Sequence, residues 1–182
     1  MITFDFEAGR KALFPSGYTQ KQVDVINAIV SEANTQGVRL ATQVAYMLAT
    51  TYHECYNPKD TKSRMTQLIE LGGDSYLKNK KYWPWIGRGP SHITWKENYR
   101  KEGVRLKLDL VKHPELMEDI RIGANSHVYC MMNGIYTGAK LTKFVHSGKT
   151  DFPAARAVIN GSDQAELIAG YAMKFLKCLG VA

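Results

Sequence analysis

The chain has 182 residues, 45% of them hydrophobic and 23% charged, which suits one soluble domain with a real hydrophobic core. No stretch approaches the apolar length needed to span a membrane, so stable membrane insertion is not expected. The net charge of +7 suits an anionic partner, whether nucleic acid, a membrane surface or an acidic cell wall, and names none of them.

The N-terminus, Met1 to Phe6, has no basic region followed by an apolar run, so no secretory signal is expected. Residues 1–18 read as an irregular lead-in with Phe14 and Tyr18 tucked onto the core. Thr19-Gln20-Lys21-Gln22 is a capping box, with a hydroxyl at the N-cap and an amide three residues on. Val23, Ile26, Ile29, Val30 and Ala33 follow at helical spacing up to Gly37. A second helix runs from about Arg39 to Tyr52, with Val44, Ala45, Leu48, Thr51, Tyr52 and Cys55 as its apolar stripe. Asn57-Pro58 ends it. Met65, Leu68, Ile69 and Leu71 suggest a short helix stopped by Gly72-Gly73. Tyr82 to Thr94 reads as loop or extended chain, with a minor hairpin near residues 80–94. Trp95 to Leu106 reads as helix with Tyr99 and Val104 inward. Pro114 opens a short helix, and Ile120 to Ile135 forms a longer apolar one. Two small helices, Lys140–Val145 and Phe152–Val158, precede a last helix opened by the capping pattern Asp163-x-x-Glu166. Its face carries Leu167, Ile168, Tyr171, Phe175, Leu176 and Leu179. The three cysteines, Cys55, Cys130 and Cys178, lack metal-ligand spacing and are expected as free thiols in a reducing compartment. No repeat, linker or low-complexity tract interrupts this mostly helical chain.

Glu54 stands at the C-terminal end of the second helix beside an apolar stripe. The negative end of the helix dipole and apolar neighbours both favour the protonated form of a carboxyl placed there, as a general acid requires. A glutamate facing water past a frayed helix end is the bland alternative. Splitting a glycosidic bond needs a second carboxylate as well. Asp60 lies just past Pro58, while Glu70 and Asp74 flank Gly72-Gly73, and spacing alone does not rank the three. His53 precedes Glu54, but Asn57 breaks the zincin pattern His-Glu-x-x-His, so no metal is expected. His53 is assigned a hydrogen bond to a backbone carbonyl or to a substrate. The loop Gly87-Arg88-Gly89-Pro90-Ser91-His92-Ile93-Thr94 has all three tryptophans, Trp83, Trp85 and Trp95, beside it. A glycine loop walled by aromatics is how a polysaccharide groove looks, and equally how an ordinary turn packed on a core looks. Tyr82, Trp83 and Trp85 suit stacking on sugar rings or plain rim positions.

Three blocks carry a family resemblance. Ala45 to Glu54, ending in Thr50-Thr51-Tyr52-His53-Glu54, looks like the helix that presents the catalytic acid in glycoside hydrolase family 19 chitinases and their phage endolysin relatives. Gly87 to Thr94, then Asn98-Tyr99, resembles that family's glycine-arginine-glycine signature. Ala155 to Asp163, followed by Ile168 to Ala172, resembles its closing motif. The blocks stand in the family's order and span about residues 19–180.

The resemblance implies a mainly α, lysozyme-like, two-lobed helical domain with a substrate groove and at most a minor β-hairpin, residues 1–182 forming a single catalytic domain with no separate wall-binding domain. By resemblance Glu54 is the general acid and Thr94 helps hold the catalytic water. It also implies that Asn98 and Asn160 bind sugar while Arg88 and Tyr99 support the loop; with them, His53, Tyr82 and His92 complete the expected substrate-binding set. The family inverts at the anomeric carbon and uses no cofactor. His92 stands where the family usually has Gln, which makes a pH-dependent substrate contact conceivable. The family's second acid usually follows the first by nine or ten residues within a glutamate-containing segment. Here Asp60 is the nearest acid and is assigned the role; without it, a different partner or lytic transglycosylase chemistry follows. The expected function is a phage-type endolysin hydrolysing β-1,4 bonds of bacterial peptidoglycan, with chitinase and lytic transglycosylase as alternatives. A non-catalytic wall-binding module is a different class. The expected protein is monomeric, made in the host bacterial cytoplasm, and reaches the wall through a separate holin-like pore. Nucleic acid is not expected as a partner, because no helix carries a clustered basic stripe.

Overall fold

The computed structural model describes residues 1–181, with Thr61 described by its backbone alone. Strand β1 (Ile2–Phe4) leads into α1 (Phe6–Ala12), which Asp5 caps by accepting from the backbone N–H groups of Glu7 and Ala8. The expected irregular lead-in is therefore structured; elements this short carry too little periodicity to read from sequence. Helix α2 (Gln20–Thr35) begins with the full capping box, Thr19 Oγ1 accepting from Gln22 N–H and Gln22 Oε1 from Thr19 N–H. Helix α3 (Ala41–Glu54) follows and is buried along most of its length.

Helices α4 (Asp74–Lys78), α5 (Lys96–Leu106) and α6 (Ile120–Asn133) come next. A small hairpin joins β2 (Val145–His146) to β3 (Lys149–Thr150), then come α7 (Phe152–Ala155), α8 (Ala165–Leu176) and β4 (Leu179–Val181). Strand β4 pairs antiparallel with β1, Ile2 opposite Val181. The Asn34 amide exchanges two hydrogen bonds with the Ile2 backbone and so closes the free edge of β1. Short 3-10 turns sit at Thr61–Ser63, Pro114–Glu118, Leu141–Lys143 and Arg156–Val158.

Several expectations fail here for tertiary reasons. No helix forms over Met65–Leu71. Met65 has φ +66°, and the chain beyond it pairs with the glycine loop: Glu70 N–H donates to Gly87 O and Gly89 N–H to Leu68 O. Those distant partners satisfy the backbone in place of a helix. The hairpin expected near residues 80–94 is reduced to isolated bridges, Ile69 with Arg88 and Arg88 with Ile93, and the true hairpin lies at 145–150. The helix expected over Lys140–Val145 is a single 3-10 turn. Val104 is not inward but 72% exposed. Asp163 does not cap α8; Gln164 does, at φ +57° and without a side-chain bond.

The main hydrophobic cluster gathers Ile26, Tyr46, Met47, Leu48, Val128 and Phe175 where α2 and α6, and α3 and α8, pack together. A smaller one, Ile93, Tyr99, Leu110 and Met117, lies beneath the glycine loop, and Tyr136 touches both. These two clusters are the cores of two lobes of a mainly helical fold. The loop is seated on α6 by bare backbone. A Cβ added at Gly123 would stand 2.8 Å from Pro90 Cδ and 3.0 Å from Met117 O, and Gly89 turns at φ +75°.

Candidate active site

Glu54 is the last residue of α3. The next residue, Cys55, is fully buried, and its thiol points at the carbonyls of Gly89 (3.5 Å) and Pro90 (3.4 Å). The end of the helix and the glycine loop are thus in contact, and the acid stands beside the loop.

The Glu54 side chain is 22% exposed, and its Oε1 accepts a hydrogen bond from Arg156 Nη1 at 2.6 Å. Arg156 is itself only 4% exposed and donates from Nε to the Asp163 carbonyl at 2.9 Å. A charge-assisted contact with a donor fixed at its other end holds the carboxylate in one place. The sequence places only apolar neighbours beside Glu54; the structure adds a buried cation. Arg156 lies inside the closing motif, where no role was expected of it. Its flanking Ala155, Ala157 and Val158 were the available signal, since an arginine in an apolar stretch needs a partner if buried.

Glu70 is the acid that the fold brings to the loop. Its Oε2 accepts from Gly87 N–H at 3.0 Å and its Oε1 from the Tyr82 hydroxyl at 2.7 Å. Burial first, and then Glu70, push the Tyr82 hydroxyl up to about 12. Asp60 instead accepts from Lys62 N–H at the head of the Thr61–Ser63 turn, is exposed, and makes none of its described contacts with the loop. Asp74 is 87% exposed and pairs with Lys78. Asp60, expected as the second acid, caps its own turn instead, and Glu70 is the carboxylate that stands at the loop.

His92 is close enough to both glutamates to feel their charges. Its Nε2 meets the Gln67 carbonyl at 2.8 Å, so that nitrogen carries the proton. Burial holds its pKa below the usual 6.5, outweighing the Gln67 bond and the nearby Glu54 and Glu70 charges, which favour the cation. The ring is neutral at pH 7 with Nδ1 as a bare acceptor. Thr94 donates from Oγ1 to His92 O at 2.8 Å, and Asn98 Nδ2 donates to Thr94 O at 2.9 Å, so both brace the loop from its open side.

Arg88 and Tyr99 belong to the loop's underside. Arg88 donates to Glu118 Oε1, Pro84 O and the Tyr99 hydroxyl, and Tyr99, fully buried, donates to Ile86 O. Both therefore brace the loop from within, Tyr99 buried and Arg88 only 8% exposed, which leaves little of either for contact with a sugar. Asn160 is exposed, with its N–H on Arg156 O and its Oδ1 accepting from Gly161 N–H. His53 is part-exposed, and its ring makes no hydrogen bond among the described residues. Burial, ahead of the opposing Glu54 charge, lowers its pKa below 6.5. Trp95, at φ +76° and 52% exposed, meets Tyr82 edge-on at 5.3 Å. It continues an aromatic rim outward from Glu70. Among the described residues no cluster of three His, Cys, Asp or Glu side chains could hold a metal ion.

The chain thus has a mainly helical, lysozyme-like fold with two carboxylates beside one glycine loop. More narrowly, the fold is that of family 19 chitinases. A bacterial family 19 chitinase superposes over 98% of this chain and 96% of its own, with a TM-score of 0.59 at 19% identity. Chitinase C from Streptomyces griseus superposes over 94% of this chain and 88% of its own, with a TM-score of 0.58 at 17% identity. An endochitinase of Arabidopsis thaliana is 31% identical over 122 residues, 61% of this chain. This chain spans less than half of that relative, 42% of its length. No family model matches the chain.

Proposed function

We propose that this protein is a glycoside hydrolase that cuts β-1,4 bonds of bacterial peptidoglycan by general acid/base catalysis. The observation that carries the reading is that Glu54, clamped by Arg156 and next to Cys55 on the glycine loop, and Glu70, bound to Gly87 N–H, both stand at that loop, their charges felt by one neutral histidine. Glu54 gives its proton to the bridging oxygen, and the departing sugar leaves with it. Glu70 takes a proton from water as that water attacks the opposite face of the ring. Thr94 and His92 Nδ1 orient the water, and Asn98, Asn160, His53 and Tyr82 meet the flanking sugars. Inversion follows if the two carboxyls leave room for that water, at roughly 6.5–9.5 Å. The net charge of +7 supports an acidic wall polymer as substrate. An endolysin acting as a monomer, carried to the wall by a separate pore, fits this chemistry, with residues 1–182 as its catalytic unit.

Chitin is the second reading, favoured by the names of the similar proteins, all chitinases. Clearing of outer-membrane-stripped bacteria, run beside chitin release, separates the two. Glu54→Gln should lower kcat about two to four orders of magnitude on whichever polymer is cut. An equally active variant removes Glu54 from the mechanism. Anhydro-muramic ends in the digest would mean transglycosylation, and pulldown with sacculi without new reducing ends would mean a binding module.

A further inference from the structure

Next to the carboxylate site lies a cavity of about 380 Å³ that the reaction above does not use. Leu13, Phe14 and Tyr52 give it apolar walls, and Lys62, Arg64 and Lys174 give it charge. No carboxylate lines it, and none of the three cations has an anionic partner among the described residues.

The walls are fixed before any ligand arrives. Gln22 Nε2 donates to the carbonyls of Lys62 (3.1 Å) and Arg64 (3.0 Å), and the Tyr52 hydroxyl donates to Leu13 O at 3.1 Å. The Arg64 guanidinium lies 3.6 Å from the Tyr56 ring centroid and 4.8 Å from that of Tyr52, and gives one N–H to Tyr52 O. Its other N–H groups have no acceptor among the described residues. An arginine flattened on aromatics keeps its charge while its fork is held ready for a carboxylate.

This cavity adjoins the proposed cleft. Arg64 donates to the carbonyl of Tyr52 and lies on the ring of Tyr56, so the cationic wall reaches the end of α3 where Glu54 stands. A polymer bound at Glu54 would lie at the same end of α3 as this cationic, part-apolar hollow. Chitin is uncharged and unbranched. A peptidoglycan strand carries short peptides that combine alanyl methyl groups with free carboxylates. We propose that the cavity seats a carboxylate of the peptide branch on a strand lying in the cleft, and so selects peptide-bearing glycan over neutral glycan. The proposal rests on the hydrolase reading for its substrate class. The apolar walls favour a peptide over a bare phosphate polymer.

Isothermal titration tests it without relying on turnover. The probes are a muropeptide bearing an alanyl-glutamyl-diaminopimelyl branch and an N-acetylglucosamine oligomer of matched glycan length. The wild-type protein should bind the muropeptide about tenfold more tightly, the worth of one charge-assisted hydrogen bond. The exposed double substitution Lys62→Gln/Lys174→Gln should erase that ratio, and Arg64→Gln should do the same where it stays folded. Equal affinities in the wild type, a ratio that survives the double substitution, or no binding of either probe overturns the proposal. A glycerol-phosphate polymer that outbinds the muropeptide, and loses that advantage in the variant, replaces the peptide with a phosphate ligand. Muropeptide preference without any cutting of sacculi upholds the subsite and removes the hydrolase reading instead.

Discussion

Arg156 donates to the Glu54 carboxylate at 2.6 Å across a sequence separation of 102 residues, from a side chain that is 4% exposed. The acid at the end of α3 is thus held by the turn that leads into α8. Replacing Arg156 by Lys keeps the charge but loses the bond from Nε to Asp163 O, so the cation no longer approaches from a fixed direction. We expect kcat on sacculi to fall about a hundredfold, as for a small misplacement of a reacting group, with KM little changed. Steady-state kinetics check this; an equal rise in KM would mean that Arg156 acts on binding instead.

Glu70 and Asp60 differ in a way that activity can read. Glu70→Gln keeps the bond from Gly87 N–H through its amide oxygen and meets the Tyr82 hydroxyl with its amide NH2 as donor, but cannot accept a proton from water. It should cost about two to four orders of magnitude in kcat. Asp60→Asn alters only the exposed cap of the Thr61–Ser63 turn, and should leave kcat at the wild-type level. The reverse result restores Asp60 as the second acid.

His127 makes the fold sensitive to acid. It is fully buried, its Nε2 faces Met47 O, and its Nδ1 has no partner. Burial lowers its pKa from 6.5 to about 4. Between those values the unfolded chain binds a proton that the folded chain does not, so stability falls as pH drops from 6.5 and the loss stops near 4. The full loss is up to about 3 kcal/mol. Thermal melts from pH 7 to 4 should show this slope, and His127→Gln should flatten it. An unchanged slope in the variant assigns acid lability to other groups.

Gly123 tests how the glycine loop is seated. Alanine would gain about 1 kcal/mol of helix propensity in α6, but its Cβ would press on Pro90 Cδ at 2.8 Å and Met117 O at 3.0 Å. Backbone and a proline ring yield little, so we expect a net loss of about 1–2 kcal/mol in chemical denaturation. Activity should fall as well, because the displaced segment adjoins Cys55 and Glu54. A more stable Gly123→Ala variant would show that this contact is loose.

The long helices were legible because their information is local. The capping box at Thr19 and the apolar repeats of α2, α3 and α6 act between residues three or four apart, and they set each helix regardless of what packs on it. Glu54 at a helix end and the glycine loop were readable for the same reason. The stretch from Met65 to Gly73 was not. Its backbone finds its hydrogen bonds on Gly87 and Leu68's partner Gly89, some twenty residues on, and no spacing within the stretch encodes that. Which acid faces the loop, which arginine holds Glu54, and that Arg88 and Tyr99 point inward were likewise settled only by packing. The pairing energy of a carboxylate depends on distance in space, and the chain's fold sets that distance.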